Sequence, residues 1–136
     1  MKKFFSKTSP ERLLHVIFDA NEPFKNRVDL SAPEQWLQVS VMNLPKAKKV
    51  NPHIHDLREQ IASRSPGITQ ECWIILRGEI KATLFDLDRA LLHEQKLPQG
   101  HVLVTFFGGH SLESENGALM VECKNGPYLG RDYTAF

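Results

Sequence analysis

Six histidines in a chain of 136 residues are the side chains with the most chemistry to offer. His53 and His55 flank a single residue, Ile54. A strand sends residues i and i+2 to the same face, so both imidazoles could reach one metal ion. Two partly buried or exposed structural histidines are the plainer reading of that spacing. Glu71 stands directly before the apolar run Cys72-Trp73-Ile74-Ile75-Leu76. A carboxylate at the mouth of a buried strand needs a partner to offset its lost hydration, and a Lys or Arg would serve as well as a metal. His110 follows Phe106-Phe107-Gly108-Gly109, a bulky pair and a flexible bend that could deliver its ring to the same cavity. Three imidazoles and one carboxylate suit a first-row divalent ion and leave positions open for water or substrate. His15, His93 and His101 have no such partners and read as structural or solvated.

The elements that must position these groups read as strands. From Trp36 onward, short apolar or alternating runs are separated by Pro, Gly and Asn. Strands are predicted over 37–44, 48–55, 72–77, 79–86, 91–96, 102–107 and 118–124, with 15–18 as an extra. Ile80, Ala82 and Leu84 share one face and Glu79, Lys81 and Thr83 the other, as in a strand buried on one side. Gly78 marks a bend between the runs on either side of it. Ser9-Pro10-Glu11-Arg12-Leu13-Leu14 could cap a single helical turn. The connection 56–70 has no hydrophobic period and is read either as a functional lid or as a plain insertion. Trp36, Trp73, Phe106 and Phe107 read most simply as core, as do Cys72 and Cys123.

Composition narrows the classes. The chain carries 17 basic and 16 acidic residues, a net charge of +1, and is 41% hydrophobic. One domain of this length can bury roughly two thirds of its unfolded surface and needs no disulfide framework to fold. Cys72 and Cys123 form no C-x-x-C pair, which argues against a redox motif or zinc ribbon. Lys46, Lys48 and Lys49 are too short a basic stretch for nucleic-acid binding. No apolar run approaches the roughly eighteen residues of a membrane span, and the charged start lacks the apolar core of a signal peptide. A cytoplasmic protein with reduced cysteines is expected. P-loop, dinucleotide, zincin and serine-hydrolase signatures are all absent from the sequence.

These residues resemble the cupins, whose first motif pairs His-x-His with a downstream Glu, six further residues and a Gly. Here that pattern is similar to His53-Ile54-His55, Glu71 and Gly78, and the second motif to Gly100 through His110. Carried over by position, the resemblance implies His53, His55, Glu71 and His110 as ligands of one divalent transition metal: iron, manganese, nickel or zinc. Glu59 stands closer to the family's usual spacing, but no strand pattern and no Gly follow it as they follow Glu71. Gln70-Glu71-Cys72-Trp73, Phe85-Asp86-Leu87-Asp88, Phe107-Gly108-Gly109-His110 and the tail Glu122 to Gly130 are similar to the small WbuC-type cupins associated with sugar and polysaccharide biosynthesis. That similarity covers residues 36–136 and implies an all-β, single-domain cupin jelly-roll barrel, with 1–35 as an N-terminal extension packing on it.

The implied function is binding of, or action on, a small oxygen-rich metabolite such as a sugar, with the metal as Lewis acid. The same ligands could hold ferrous iron in a dioxygenase, and a noncatalytic binding or sensor module is a further alternative. Arg77, Lys124, Tyr128 and Arg131 are candidates to contact an anionic or polyhydroxyl ligand, although each could equally be an outward strand or tail residue. A small-molecule ligand and a homodimer are the expected partners.

Overall fold

The computed structural model of the protein describes residues 1–55, 68–128, 130 and 133–136. Glu59, Arg131 and most of the 56–70 connection lie outside the described residues. Eleven strands and no helix occur among the described residues: β1 (Lys2–Phe5), β2 (Leu13–Ile17), β3 (Arg27–Asp29), β4 (Leu37–Leu44), β5 (Lys48–His55), β6 (Glu71–Phe85), β7 (Leu91–Pro98), β8 (Val102–Thr105), β9 (Gly109–Ser114), β10 (Ala118–Asn125) and β11 (Tyr133–Ala135). β1 and β2 pair as a separate two-stranded sheet, and the other nine strands form one curled sheet. Every ladder among the described residues is antiparallel.

The 15-residue β6 makes the curl. Its first half pairs with β10 and β8, and β10 continues through β4 to β3. Its second half pairs with β9 and β7, and β9 continues through β5 to β11. One strand thus belongs to both walls of a half-barrel. The predicted runs 72–77 and 79–86 are this single strand, bent at the glycine between them. Gly78 has φ +78°, and a Cβ placed there would stand 2.6 Å from the Gly117 carbonyl oxygen. Only glycine fits, because an L-residue is strained in the left-handed backbone and has no room for its side chain.

The corner also changes which residues face inward. Glu71, Trp73 and Ile75 are buried in the first half, and Ile80 and Ala82 in the second. The inward row therefore moves from odd to even positions across the corner. A register shift opposite Leu119 and Met120 supplies the extra residue, as a β-bulge does. The core so enclosed consists of Leu44, Trp73, Ile75, Ile80, Ala82, Leu97, Leu112, Ala118 and Met120.

Three expectations are corrected. No helical turn forms at Ser9: the Arg12 N–H donates to the Ser9 carbonyl oxygen at 2.9 Å and Ser6 N–H to that of Arg12, closing a hairpin turn. Leu13 is already committed to the β-ladder opposite Phe5 and cannot extend a helix. Trp36, Phe106 and Phe107 are exposed, leaving Trp73 as the one core residue of that group. They sit at strand ends and in a bend, where no second layer covers them among the described residues. Cys72 and Cys123 are half-buried, facing each other across β6 and β10 on the side away from the inward row.

Candidate metal centre and its cavity

The sheet pairing brings the three histidines together. His53 lies directly across from His110 in the β5–β9 ladder, with ring centroids 4.4 Å apart. His55, two residues along the same face, is 5.4 Å from His53 and 5.6 Å from His110. The turn through Gly108 starts β9 so that His110 is its second residue, between His53 on β5 and Leu84 on β6. Glu71 reaches the cluster from the opposite wall. Its Oε1 lies 3.2 Å from His55 Nε2, and its Oε2 lies 3.3 Å from His110 Nε2. His53, His55, Glu71 and His110 are all buried, His110 completely.

One ligand atom from each of the three histidines lies within 4.8 Å of the others. Donors sharing a first-row ion at bonds of about 2.1 Å stand about 3.0–4.2 Å apart, so small side-chain rotations close the set. The protonation pattern suits a cation as well. The Asn51 carbonyl oxygen, 2.9 Å from His53 Nδ1, can only accept, so Nδ1 carries the proton and Nε2 presents its lone pair. His110 has no aligned hydrogen-bond partner for either ring nitrogen among the described residues. Among the described residues its Nδ1 has no polar partner and its Nε2 faces only the Glu71 carboxylate, off the line of a good hydrogen bond, a deficit that a shared cation would remove. The residues present fit a metal ion.

Electrostatics point the same way. Burial lowers the His53 pKa below the ordinary imidazole value, opposed by its bond to Asn51 and reinforced by His110. The ring is therefore held neutral, as a ligand must be. Burial works to raise the Glu71 pKa, but the facing His110 and His55 outweigh it and hold the carboxyl well below the usual carboxylate range.

His53, His55 and Glu71 line a cavity of about 840 Å³, with His110 buried behind them. Lys124 lines its wall, with Nζ 3.8 Å from Glu71 Oε1 and 5.5 Å from the Tyr128 ring centroid. Arg77 lies elsewhere, exposed beside Lys46 and Asn116 in a shallower depression. Polar wall residues not singled out from the sequence include Glu122, Arg27 and Tyr133. Arg27 Nη1 is 3.1 Å from Glu122 Oε1, while its Nε and Nη2 bond Asp29 and Ser40. The Tyr133 ring packs 4.8 Å from His53. Glu122 left a trace in the sequence, since it shares alternate positions on β10 with Met120. Arg27 and Tyr133 left none, because they reach the cavity only through pairing with β4 and β5.

The fold is an all-β double-stranded β-helix, similar to that of solved cupin superfamily structures. The solved structures it resembles include a cupin superfamily protein from Desulfitobacterium hafniense, 16% identical with a TM-score of 0.54, covering 76% of this chain and 82% of that one. A double-stranded β-helix protein from Klebsiella pneumoniae is 13% identical with a TM-score of 0.60, covering 90% and 97%. An oxalate decarboxylase variant from B. subtilis is 15% identical with a TM-score of 0.56, covering 74% of this chain but only 24% of that one. No family model and no curated protein matches the sequence.

Proposed function

We propose that this protein is a metal-binding cupin in which His53, His55, His110 and Glu71 hold one divalent transition ion beneath a cavity that takes a small oxygen-rich molecule. The observation that carries the reading is the buried group of three imidazoles whose donor atoms lie within 4.8 Å of one another, closed from the opposite wall by Glu71. The sugar class of ligand rests on the sequence resemblance over residues 36–136. A bound ion would supply Lewis-acid polarisation of a ligand oxygen. The chain itself does the rest. Asn51 holds His53 in the competent tautomer, the core residues Trp73 and Leu112 close the apolar side of the cavity, and Lys124, with Tyr128 beside it, offers a cation on the wall.

Protein purified without chelators and offered iron, manganese, nickel and zinc should carry close to one equivalent of metal by elemental analysis. His53→Ala combined with His110→Ala should abolish it. A wild-type protein that remains metal-free refutes the reading. The metal retained also separates the alternatives, since iron favours oxygen chemistry and zinc or nickel a Lewis-acid role. We also propose a homodimer, supported by the exposed Val102 and Val104 on β8 and Phe106 and Phe107 beyond it. Light scattering should give twice the 15.5 kDa chain mass; a monomer refutes it.

A further inference from the structure

β10 carries an inward row that begins as core and ends as an acid and a base: Met120, Glu122 and Lys124. Each of the last two lacks something. The carboxylate that Lys124 faces is that of Glu71, at 3.8 Å, the limit of an ion pair. Glu71 stands closer to His55 and His110. A divalent ion among the histidines would claim that carboxylate and leave the ammonium, only 15% exposed, beside a second cation. An anion lying between the two would relieve both.

Glu122 has the converse deficit. Its side chain is 12% exposed, and its Oε1 has no aligned hydrogen bond among the described residues although Arg27 Nη1 lies 3.1 Å away. Arg27 bonds Asp29 and Ser40 through Nε and Nη2 and meets Glu122 only with Nη1, as an ion pair. A buried acceptor on a cavity wall is satisfied by a donor brought in from the cavity. Burial, and then the charge of Glu71, push the Glu122 carboxyl above its usual range against the opposing charges of Lys124 and Arg27. Two residues apart on one strand face, their backbones are spaced by about 6.7 Å along the chain, and both side chains line the cavity.

The geometry points to a small hydroxylated carboxylic acid as the class of molecule this cavity takes. Its carboxylate pairs with Lys124 on the metal side, and a hydroxyl further along its carbon chain donates to Glu122. This rests on the metal-binding reading but specifies the ligand beyond it: a neutral sugar lacks the charge and a simple fatty acid lacks the hydroxyl.

Three probes with one six-carbon skeleton test it: D-gluconate, sorbitol and hexanoate, titrated calorimetrically into zinc-loaded and metal-free protein, with metal content measured before and after. Gluconate should bind the zinc-loaded protein at least tenfold more tightly than either other probe. Lys124→Met should remove at least tenfold of that affinity and bring gluconate to the level of sorbitol. Glu122→Met should weaken gluconate but leave hexanoate unchanged, with melting curves verifying that both variants fold. Sorbitol or hexanoate binding as well as gluconate, binding of none of the three, or an unaltered Lys124→Met protein would overturn the inference while leaving the metal centre intact. Failure to take up zinc, iron, manganese or nickel overturns the metal reading instead, and the same comparison in the metal-free protein then decides the roles of Lys124 and Glu122.

Discussion

Replacing Gly78 by alanine perturbs the one residue on which both walls of the half-barrel turn. Two costs add at this position. The backbone, at φ +78°, is left-handed, which costs an L-residue about 1–2 kcal/mol. The new methyl would stand 2.6 Å from the Gly117 carbonyl oxygen and 3.1 Å from Ala118 Cα. Neither can rotate away, so the strands must part, at a further cost of about 1–3 kcal/mol. The sum is about 3 kcal/mol. With an unfolding entropy of about 2.1 cal/mol/K per residue, each kcal/mol lowers the melting temperature of a chain this size by about 3.5 °C, giving a drop of about 10 °C. Gly100→Ala is the control: φ is +86° but nothing lies within 4 Å of the place its Cβ would take, so only the backbone term of about 1–2 kcal/mol applies, about 4–7 °C. Both variants should be melted metal-free by circular dichroism and calorimetry. Because Glu71 lies before the corner and Leu84, the ladder partner of His110, lies after it, zinc affinity should also fall in Gly78→Ala and not in Gly100→Ala. A Gly78→Ala protein that melts with the control refutes the account of the corner.

Further outcomes follow from the burial and electrostatics of the cavity. In metal-free protein Glu71→Gln should cost about 2 kcal/mol at pH 7, the worth of hydrogen bonds to a buried charge. Because the folded Glu71 pKa is depressed below its ordinary 4.5, its stabilisation is present above that value and fades as the pH falls below it. Urea unfolding should therefore show the two proteins converging in acid; a gap that widens there contradicts the pairing. Trp73 is buried with its ring centroid 4.9 Å from that of His110, whereas Trp36 is exposed. Titration with Ni(II) should thus quench the blue-shifted part of the tryptophan emission, and quenching confined to the red-shifted part would place the ion elsewhere. Ile80 is fully buried at the inner face beyond the corner, and Ile80→Ala should cost about 3–4 kcal/mol in denaturant unfolding. A loss below about 1 kcal/mol would mean that Ile80 does not belong to the inward row.

Much of the fold was legible in local pattern. The bounds of β4 and β5 are those expected from their alternation, and Ile80 and Ala82 face inward as the period of two requires. β1, β3, β9 and β11 were not expected from the sequence, and for the last three the reason is physical. β3 and β11 have three residues each, too few to show a period. β9 reads Gly-His-Ser-Leu-Glu-Ser, where small polar residues are buried because strands cover them on both sides rather than because they are apolar. Trp36, Phe106 and Phe107 show the reverse error, since size and hydrophobicity alone cannot tell whether a second layer exists to bury them.

The sequence by itself determined the ingredients: a period-two run placing His53 and His55 on one face, a glycine seven positions after Glu71 where an L-residue cannot turn, and enough apolar surface for one core. Tertiary structure alone decided the convergence. His110 meets His53 because β9 pairs with β5 across more than fifty residues of chain, and Glu71 faces them because β6 bends and slips its inward row by one residue at the corner. Neither event leaves a local mark, because hydrogen-bond register is set between strands and not within them. Glu122 shows the same division: its inward parity can be read along β10, but the lysine, arginine and cavity that give that carboxylate its role exist only once the sheet has closed.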